Sequence, residues 1–342
     1  MNLIILIMAL QVSAVSFAQS SVILPLKKNQ YLLGSCIIFD SNLKLVLQLP
    51  GGTVCLPMEN GHLVASDQVK LRHYDEHGKE VWSLSGDYHH QLIKVDQSIF
   101  ALKAETKDFK DYKIRYDVVE KIDLSGKVIS RFLLNEEKLS LNIIPTTGLA
   151  RYPDRSAKDG SVFELSHANS IQFFKHGFVV NDLAAGHCFF LDKDLKFKKT
   201  LKIFEFAQAP SKKTSIAGRY LTHDCQLSSE EKGFIFINDY FDQKFKLGYR
   251  MAEFQHDKIV KILPESHYET NETEHGGGVL NIGKNWLLSA VLGKVSNANK
   301  VTEVLYVSGS NGKVIKKWEL PFYVQDLKIV NLGAFIKNSD FL

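Results

Sequence analysis

The chain has 342 residues, 45% hydrophobic and 23% charged, which excludes fibrous and disordered classes. Lys plus Arg is 42 against 38 for Asp plus Glu, a net charge of +4, and no Lys/Arg block exceeds two residues. Nucleic-acid binders cluster their basic residues, so this scattered excess speaks against a nucleic-acid partner.

The chain opens MNLIILIMALQVSAVSFAQS, an apolar core followed by small residues, and Ser16-Phe17-Ala18 before Gln19 fits a small-x-small cleavage site. Residues 1–18 therefore read as a secretory signal peptide, although no Lys or Arg precedes the apolar core. A membrane anchor is the competing reading, but the apolar run is short against the ~20 residues that a span needs. No later stretch is long and apolar enough to cross a bilayer, so the chain is expected to be periplasmic or secreted, with no membrane span after cleavage. Export permits disulfides. The four cysteines, Cys36, Cys55, Cys188 and Cys225, allow three connectivities. Cys36 and Cys55 flank a hairpin-like segment and are the pair expected first. None has the CxxC spacing of a thiolate metal site.

After the leader, helix signals are scarce. Short runs follow one another, CIIFD, KLVLQL, HLVAS, SIFALKA, GFVVND, GFIFIND and NWLLSAV, rich in β-branched and aromatic residues and separated by turn residues. One phrase recurs among them. YDEHGKEVWSL (74–84) and IDLSGKVISRFL (122–133) share an acidic residue, two positions, Gly-Lys and then a strand. FDSNLKLVLQL (39–49), LDKDLKFKKTL (191–201) and SGSNGKVIKKWEL (308–320) are looser copies, and FQHDKIVKIL (254–263) is the weakest. The Asp-x-x-Gly core suits a hairpin turn, with Asp bonding its own backbone and Gly taking positive φ. There are six such hairpins, about 35 to 70 residues apart, around the repeat length of propeller blades. The expectation is an all-β fold, a six-bladed β-propeller forming a single domain over 19–342, with 205–219 as a long surface loop. A β-sandwich or two stacked β domains would carry the same strand signals.

Polar clusters open several of the strands. His89-His90 stands in GDYHHQLIKV, His167 and Asn169 in SHANSIQFF, His223 and Asp224 in LTHDCQLS, and His275 in EHGGGVLNIG. Each precedes the innermost or near-innermost strand of a candidate blade, and in a propeller such positions converge at one end of the central channel. A neutral imidazole can attack an electrophilic sulfur or phosphorus while other imidazoles and amides hold the anionic oxygens. A lone histidine at a strand start more often bonds a local carbonyl or faces solvent, so convergence is the point to test. His62, His73, His77, His176, His256 and His267 read as surface or turn residues, with His187 left open. No HxH or HxxxH pair lies near a carboxylate, so no metal is assigned. GxSxG is absent, and GGG at 276–278 fits no phosphate-binding pattern.

In order and spacing these phrases resemble the bacterial arylsulfate sulfotransferase family, periplasmic six-bladed propellers. The resemblance runs from YDEHGKEVWSLSGDYHHQLIKV through SHANSIQFFKHGFVV and THDCQLSSEEKGFIFIND to HGGGVLNIGKNWLLSAV and KVTEVLYVSGSNGKVIKKWEL, roughly residues 53–320. It implies transfer of a sulfuryl group from a phenolic sulfate ester to a phenol, with aryl sulfates and phenols as small-molecule partners and no cofactor. His223 would be the nucleophile that forms a sulfohistidine, and His167 and His90 its catalytic partners. Asn169, His89 and His275 would be substrate-binding positions. One departure stands out: the arginine that the family places after the His-x-Asn phrase is missing, with Leu183 at or near its position and Asp182 beside it. Arg151, Arg155 and Arg219 in neighbouring loops are the candidates to replace it. Gln91 also stands where the family often has an acid. The alternative is a non-catalytic propeller that binds a ligand or another envelope protein.

Overall fold

The structure, a computed structural model, describes residues 22–109, 112–134, 136, 151–152, 162–182, 187–202, 221–229, 232–240, 247–255, 258–270, 277–292, 301–322, 324 and 327–338. The proposed signal peptide, the 205–219 loop, Leu183 and His275 lie outside these residues.

Six sheets, antiparallel except for one added strand in the third, follow one another along the chain and form a six-bladed β-propeller. Blade 2 comprises Val54–Pro57, Leu63–Ser66, Lys70–Tyr74 and Glu80–Ser85, and blade 3 comprises Asp87–Val95, Ser98–Phe109, Tyr112–Asp123 and Val128–Leu133. Blade 4 runs Ala168–Phe174, Gly177–Asp182, His187–Asp192 and Phe197–Lys202. Blade 5 runs Leu221–Ser229, Lys232–Tyr240, Leu247–Gln255 and Lys258–Thr270, and blade 6 Gly277–Ile282, Asn285–Leu292, Val301–Ser308 and Val314–Leu320. The first strands of blades 2 to 6 touch their neighbours in sequence, which makes them the inner ring. Blade 1 is built from both ends of the chain: Lys328–Asn331 pairs with Gln30–Gly34, which is followed by Ile37–Phe39 and Leu45–Gln48. This closure pairs an edge that would otherwise lie open.

All six recurring phrases are the hairpins between the third and fourth strands of their blades. In blades 1 to 4 the turn carboxylate, Asp40, Asp75, Asp123 or Asp192, accepts backbone N–H bonds from the residues two and four positions on. The residue three positions on has positive φ: Gly78 (76°), Gly126 (89°), Leu43 (60°) and Leu195 (62°). Leucine is costly in that conformation. Here both leucines are buried, Leu43 in the core between blades 6 and 1 and Leu195 in that between blades 3 and 4, and this burial offsets the cost.

Among the described residues the core divides into six clusters, each shared by two adjacent blades. Val64 and Leu71 of blade 2, for example, pack with Leu92 and Ala101 of blade 3, and Cys188 and Val179 of blade 4 with Ile235 and Ala252 of blade 5. No blade buries its apolar faces alone, so the ring is one cooperative unit. Disulfides join two pairs of neighbours, Cys36 to Cys55 across blades 1 and 2 and Cys188 to Cys225 across blades 4 and 5. The first is the pair expected from the sequence. A short helix, Gly333–Asn338, packs Phe335 into the core between blades 1 and 2.

Blade 3 is enlarged. Val162–Glu164 pairs in parallel with Tyr112–Asp123, Lys113 opposite Val162 and Arg115 opposite Glu164, and Arg151–Tyr152 pairs with it in turn. The addition lies beside the end of the blade that carries Arg115.

Among the described residues no helix is long and apolar enough to cross a membrane.

Candidate functional site

Three consecutive inner strands break their regular pairing at residues singled out from the sequence. In blade 3 the register shifts between His89 and Leu92, skipping His90 and Gln91, and His90 takes φ 57°. In blade 4 the shift falls between Ala168 and Ser170, at Asn169, and in blade 5 between Thr222 and Asp224, at His223. The inner strands of blades 2 and 6 pair without a shift. A bulge inserts an unpaired residue and turns its side chain out of the pleat, which re-aims it.

The bulged strands bring imidazoles together. His90 Nε2 lies 3.0 Å from His167 Nε2. The His89 ring centre is 4.9 Å from that of His90 and 6.1 Å from that of His167. From the third strand of blade 3, Arg115 places Nη1 3.4 Å from His167 Nδ1, while its Nη2 is 3.5 Å from Asp87 Oδ2. A guanidinium only donates, so His167 Nδ1 accepts and carries no proton. The His167 proton then sits on Nε2 and is donated to His90 Nε2, which leaves the His90 proton on Nδ1. Both rings are neutral in this arrangement. Burial holds His90 well below the ordinary histidine range, and the charges of His89, His167, His223 and Arg115 act the same way. His223, itself buried, is thus within electrostatic reach of the pair.

Beneath the imidazoles lies a buried carboxylate, Asp117, two residues after Arg115 on the same strand and fully enclosed. One of its oxygens is 3.2 Å from His89 Nε2, and the other accepts the backbone N–H of Ala168. Burial pushes its pKa up, but the charge and hydrogen bond of His89, then the charges of Arg115 and His167, outweigh that and hold it below the ordinary carboxylate value. Asp117 therefore ties the inner strands of blades 3 and 4 together beside the cluster. Other side chains do the same from strand to strand: Gln91 Oε1 accepts from Ile171 N at 2.9 Å, and Gln172 Oε1 from Leu227 N at 2.7 Å. Gln91, the departure from an acid noted above, is thus a link between blades.

The remaining candidates are placed as follows. Asn169 is buried and its Oδ1 accepts from Asn181 Nδ2 at 2.6 Å, which orients its amide. Asp182 Oδ1 accepts the His167 backbone N–H at 2.9 Å, so this carboxylate fixes the turn that presents His167. Asp224 turns toward blade 6, where its Oδ2 accepts from Val279 N at 3.1 Å, and burial pushes its pKa up to about 6. His275 and Leu183 lie outside the described residues, as do the side chains of Arg151, Arg155 and Arg219.

Two outcomes differ from the sequence reading. Among the described residues the guanidinium at the histidines is Arg115, which was not singled out; its only signal was an Arg-x-Asp pair inside the strand KIRYDVV. His73 is not a surface residue. It is 4% exposed, packs against Trp82, and its Nε2 is 2.9 Å from His62 Nδ1, while His62 Nε2 is 2.9 Å from Glu76 Oε2. The alternation in KLRHY carried the signal, since Leu71 and His73 share the buried face of their strand. Among the described residues no group of three or more His, Cys, Asp or Glu is arranged to hold a metal ion.

No protein-family model matches this chain, and no curated protein matches it. Among solved structures, AztD from Citrobacter koseri is similar with a TM-score of 0.40 and 8% identity, over 88% of this chain and 97% of AztD. The dihydro-heme d1 dehydrogenase NirN, in complex with DHE, is similar with a TM-score of 0.37 and 12% identity, over 90% of this chain and 75% of that one. Hsv2 from Kluyveromyces lactis has a TM-score of 0.34 and 9% identity over 78% of this chain, which spans 62% of the length of Hsv2. Likeness at this level says nothing of chemistry.

Proposed function

We propose that this cluster transfers a sulfuryl group from an aryl sulfate to a phenol through a sulfohistidine at His223. The observation that carries the reading is the meeting of Arg115 with the His90–His167 pair where three inner strands bulge. Arg115 offers the guanidinium that the sequence lacks after the His-x-Asn phrase, from a different blade.

An aryl sulfate brings one negative charge spread over its sulfuryl oxygens. The Arg115 guanidinium and the Asn169 amide are the donors for those oxygens. A ring nitrogen of His223 attacks sulfur; the N–S bond forms as the S–O bond to the aryl group breaks, and the electron pair leaves on the phenolate oxygen. The incoming negative charge favours a proton on the His90–His167 pair, and that proton passes to the phenolate. In the second half the acceptor phenol returns a proton to the pair. Its oxygen attacks sulfur, the N–S bond breaks, and His223 is restored. His89, oriented by Asp117, lines the same side, and His275 is assigned to substrate binding from the sequence. The chemistry requires an exported chain no more than a cytosolic one; export rests on the leader alone.

The test is release of 4-nitrophenolate from 4-nitrophenyl sulfate by the purified chain, with and without phenol, beside His223→Ala. Phenol-dependent release that disappears in the variant is expected. No release from folded protein would overturn the reading and leave the cluster as the anion site of a binding propeller.

A further inference from the structure

Blade 3 carries a wall that rises past the histidines. Its second and third strands, Ser98–Phe109 and Tyr112–Asp123, pair without a register shift along their whole length. Alternate residues therefore keep to one face from the core to the hairpin tip. Phe100, Leu102 and Val119 place one face in the core shared with blade 4, while Ile99, Ala101 and Ile122 place the other in the core shared with blade 2. On the blade 4 side the face continues with Ala104 opposite Asp117, then Thr106 opposite Arg115, then Asp108 opposite Lys113.

The chemistry of that face changes as it rises. Asp117 is buried at His89, Arg115 is partly buried at His167, and one step further out stand Lys113, partly buried, and Asp108, exposed. Two residues of strand set Lys113 about 7 Å outward of Arg115, a span comparable to a phenyl ring with its para substituents. Directly opposed residues hold their Cβ atoms about 5 Å apart, so Lys113 and Asp108 present a cation and an anion side by side. That spacing suits a carboxylate and an ammonium carried on one carbon. Left to each other, two such surface groups form an ion pair of little worth. A zwitterion replaces it with two pairs, whereas a headgroup of one sign meets one repelling partner. A ring whose sulfuryl group lies at Arg115 extends outward along this wall, because Asp117 and the apolar core fill the inward direction.

We propose that Lys113 and Asp108 select substrates whose ring bears an amino-acid headgroup para to the reacting oxygen, with the carboxylate at Lys113 and the ammonium at Asp108. The inference rests on the placement of the sulfuryl group at Arg115 proposed above.

The probes are two stable sulfonates that cannot transfer their group, 4-(sulfomethyl)phenylalanine and phenylmethanesulfonate, titrated calorimetrically into the native chain. The amino acid is expected to bind about tenfold more tightly or better. In Asp108→Asn/Lys113→Gln the two affinities should become equal through loss on the amino-acid side, with thermal unfolding as the check on fold. Lys107→Gln, on the other face of the same hairpin, should keep the preference. Equal affinities in the native chain, or an undiminished preference in the folded double variant, would overturn the headgroup site. Either result leaves sulfuryl transfer standing, since release of 4-nitrophenolate reads that separately. Binding of neither sulfonate overturns the headgroup site together with the anion seat at Arg115. Should the double variant fail to fold, Lys113→Gln alone must lower the preference, and an unchanged ratio counts against the proposal.

Discussion

Asp117 offers the sharpest test of how the site is held. The residue is 0% exposed, and removing its side chain takes the acceptor from the Ala168 N–H and the His89 ring nitrogen and one negative charge from the surroundings of Arg115. Breaking one partner of such a buried ionic group costs about 3–5 kcal/mol. Asp117→Ala should therefore lower the unfolding free energy by about that amount. Asp117→Asn keeps the shape and one oxygen acceptor but loses the charge, and should cost about 2 kcal/mol, the worth of a charge-assisted hydrogen bond. Urea unfolding reads both as shifts in midpoint at unchanged slope. The pKa of Asp117 lies below its unfolded value, so its contribution is complete above about pH 4 and is lost as pH falls through the native value. The gap between wild type and Asp117→Asn should accordingly shrink in acid. An Asp117→Ala chain within about 1 kcal/mol of wild type at pH 7 would show that the carboxylate is not the tie described here.

Arg115→Gln should take the guanidinium donor from His167 Nδ1 and remove one of the charges that depress His90, so the His90 titration should move up while burial still holds it below the ordinary range, read by nuclear magnetic resonance of the imidazole nitrogens. If sulfuryl transfer is the reaction, the same variant should lose about 10²–10³ in kcat. Burial and the charge of His62 push His73 down to about 4, so the unfolded chain takes up its proton first as pH falls. Stability should therefore drop between about pH 6.5 and 4, by about 2–3 kcal/mol from this group. His73→Phe should flatten the dependence, and an unchanged pH profile of urea midpoints would contradict this. Cys36→Ser/Cys55→Ser opens a loop of sequence separation 19 and should cost about 3 kcal/mol in unfolding free energy measured under oxidising conditions. Equal stability of the double variant would count against the bridge.

The blades were legible because their signal is local. Asp75, Asp123 and their counterparts act through backbone groups two to four residues away, so the phrase can be read without knowing what packs above it. It weakened where a distant core intervened: Leu43 and Leu195 replace glycine because another blade buries them. The same division holds at the site. His89, His90, His167, Asn169 and His223 could be picked out because each stands in or just before a strand that opens a blade. Arg115 and Asp117 could not, since they lie mid-strand in the third strand of blade 3, and their roles depend on His167 and Ala168 some fifty residues on.

From the sequence alone, then, come the hairpins, their number and the strands that carry the imidazoles, all consequences of contacts within a few residues. Only the tertiary structure decided which guanidinium faces the histidines, that the strands bulge at His90, Asn169 and His223, and that His73 is interior. Those outcomes depend on ring closure, which sets blades side by side and fixes which distant side chains share a buried space, and no local pattern encodes that distance.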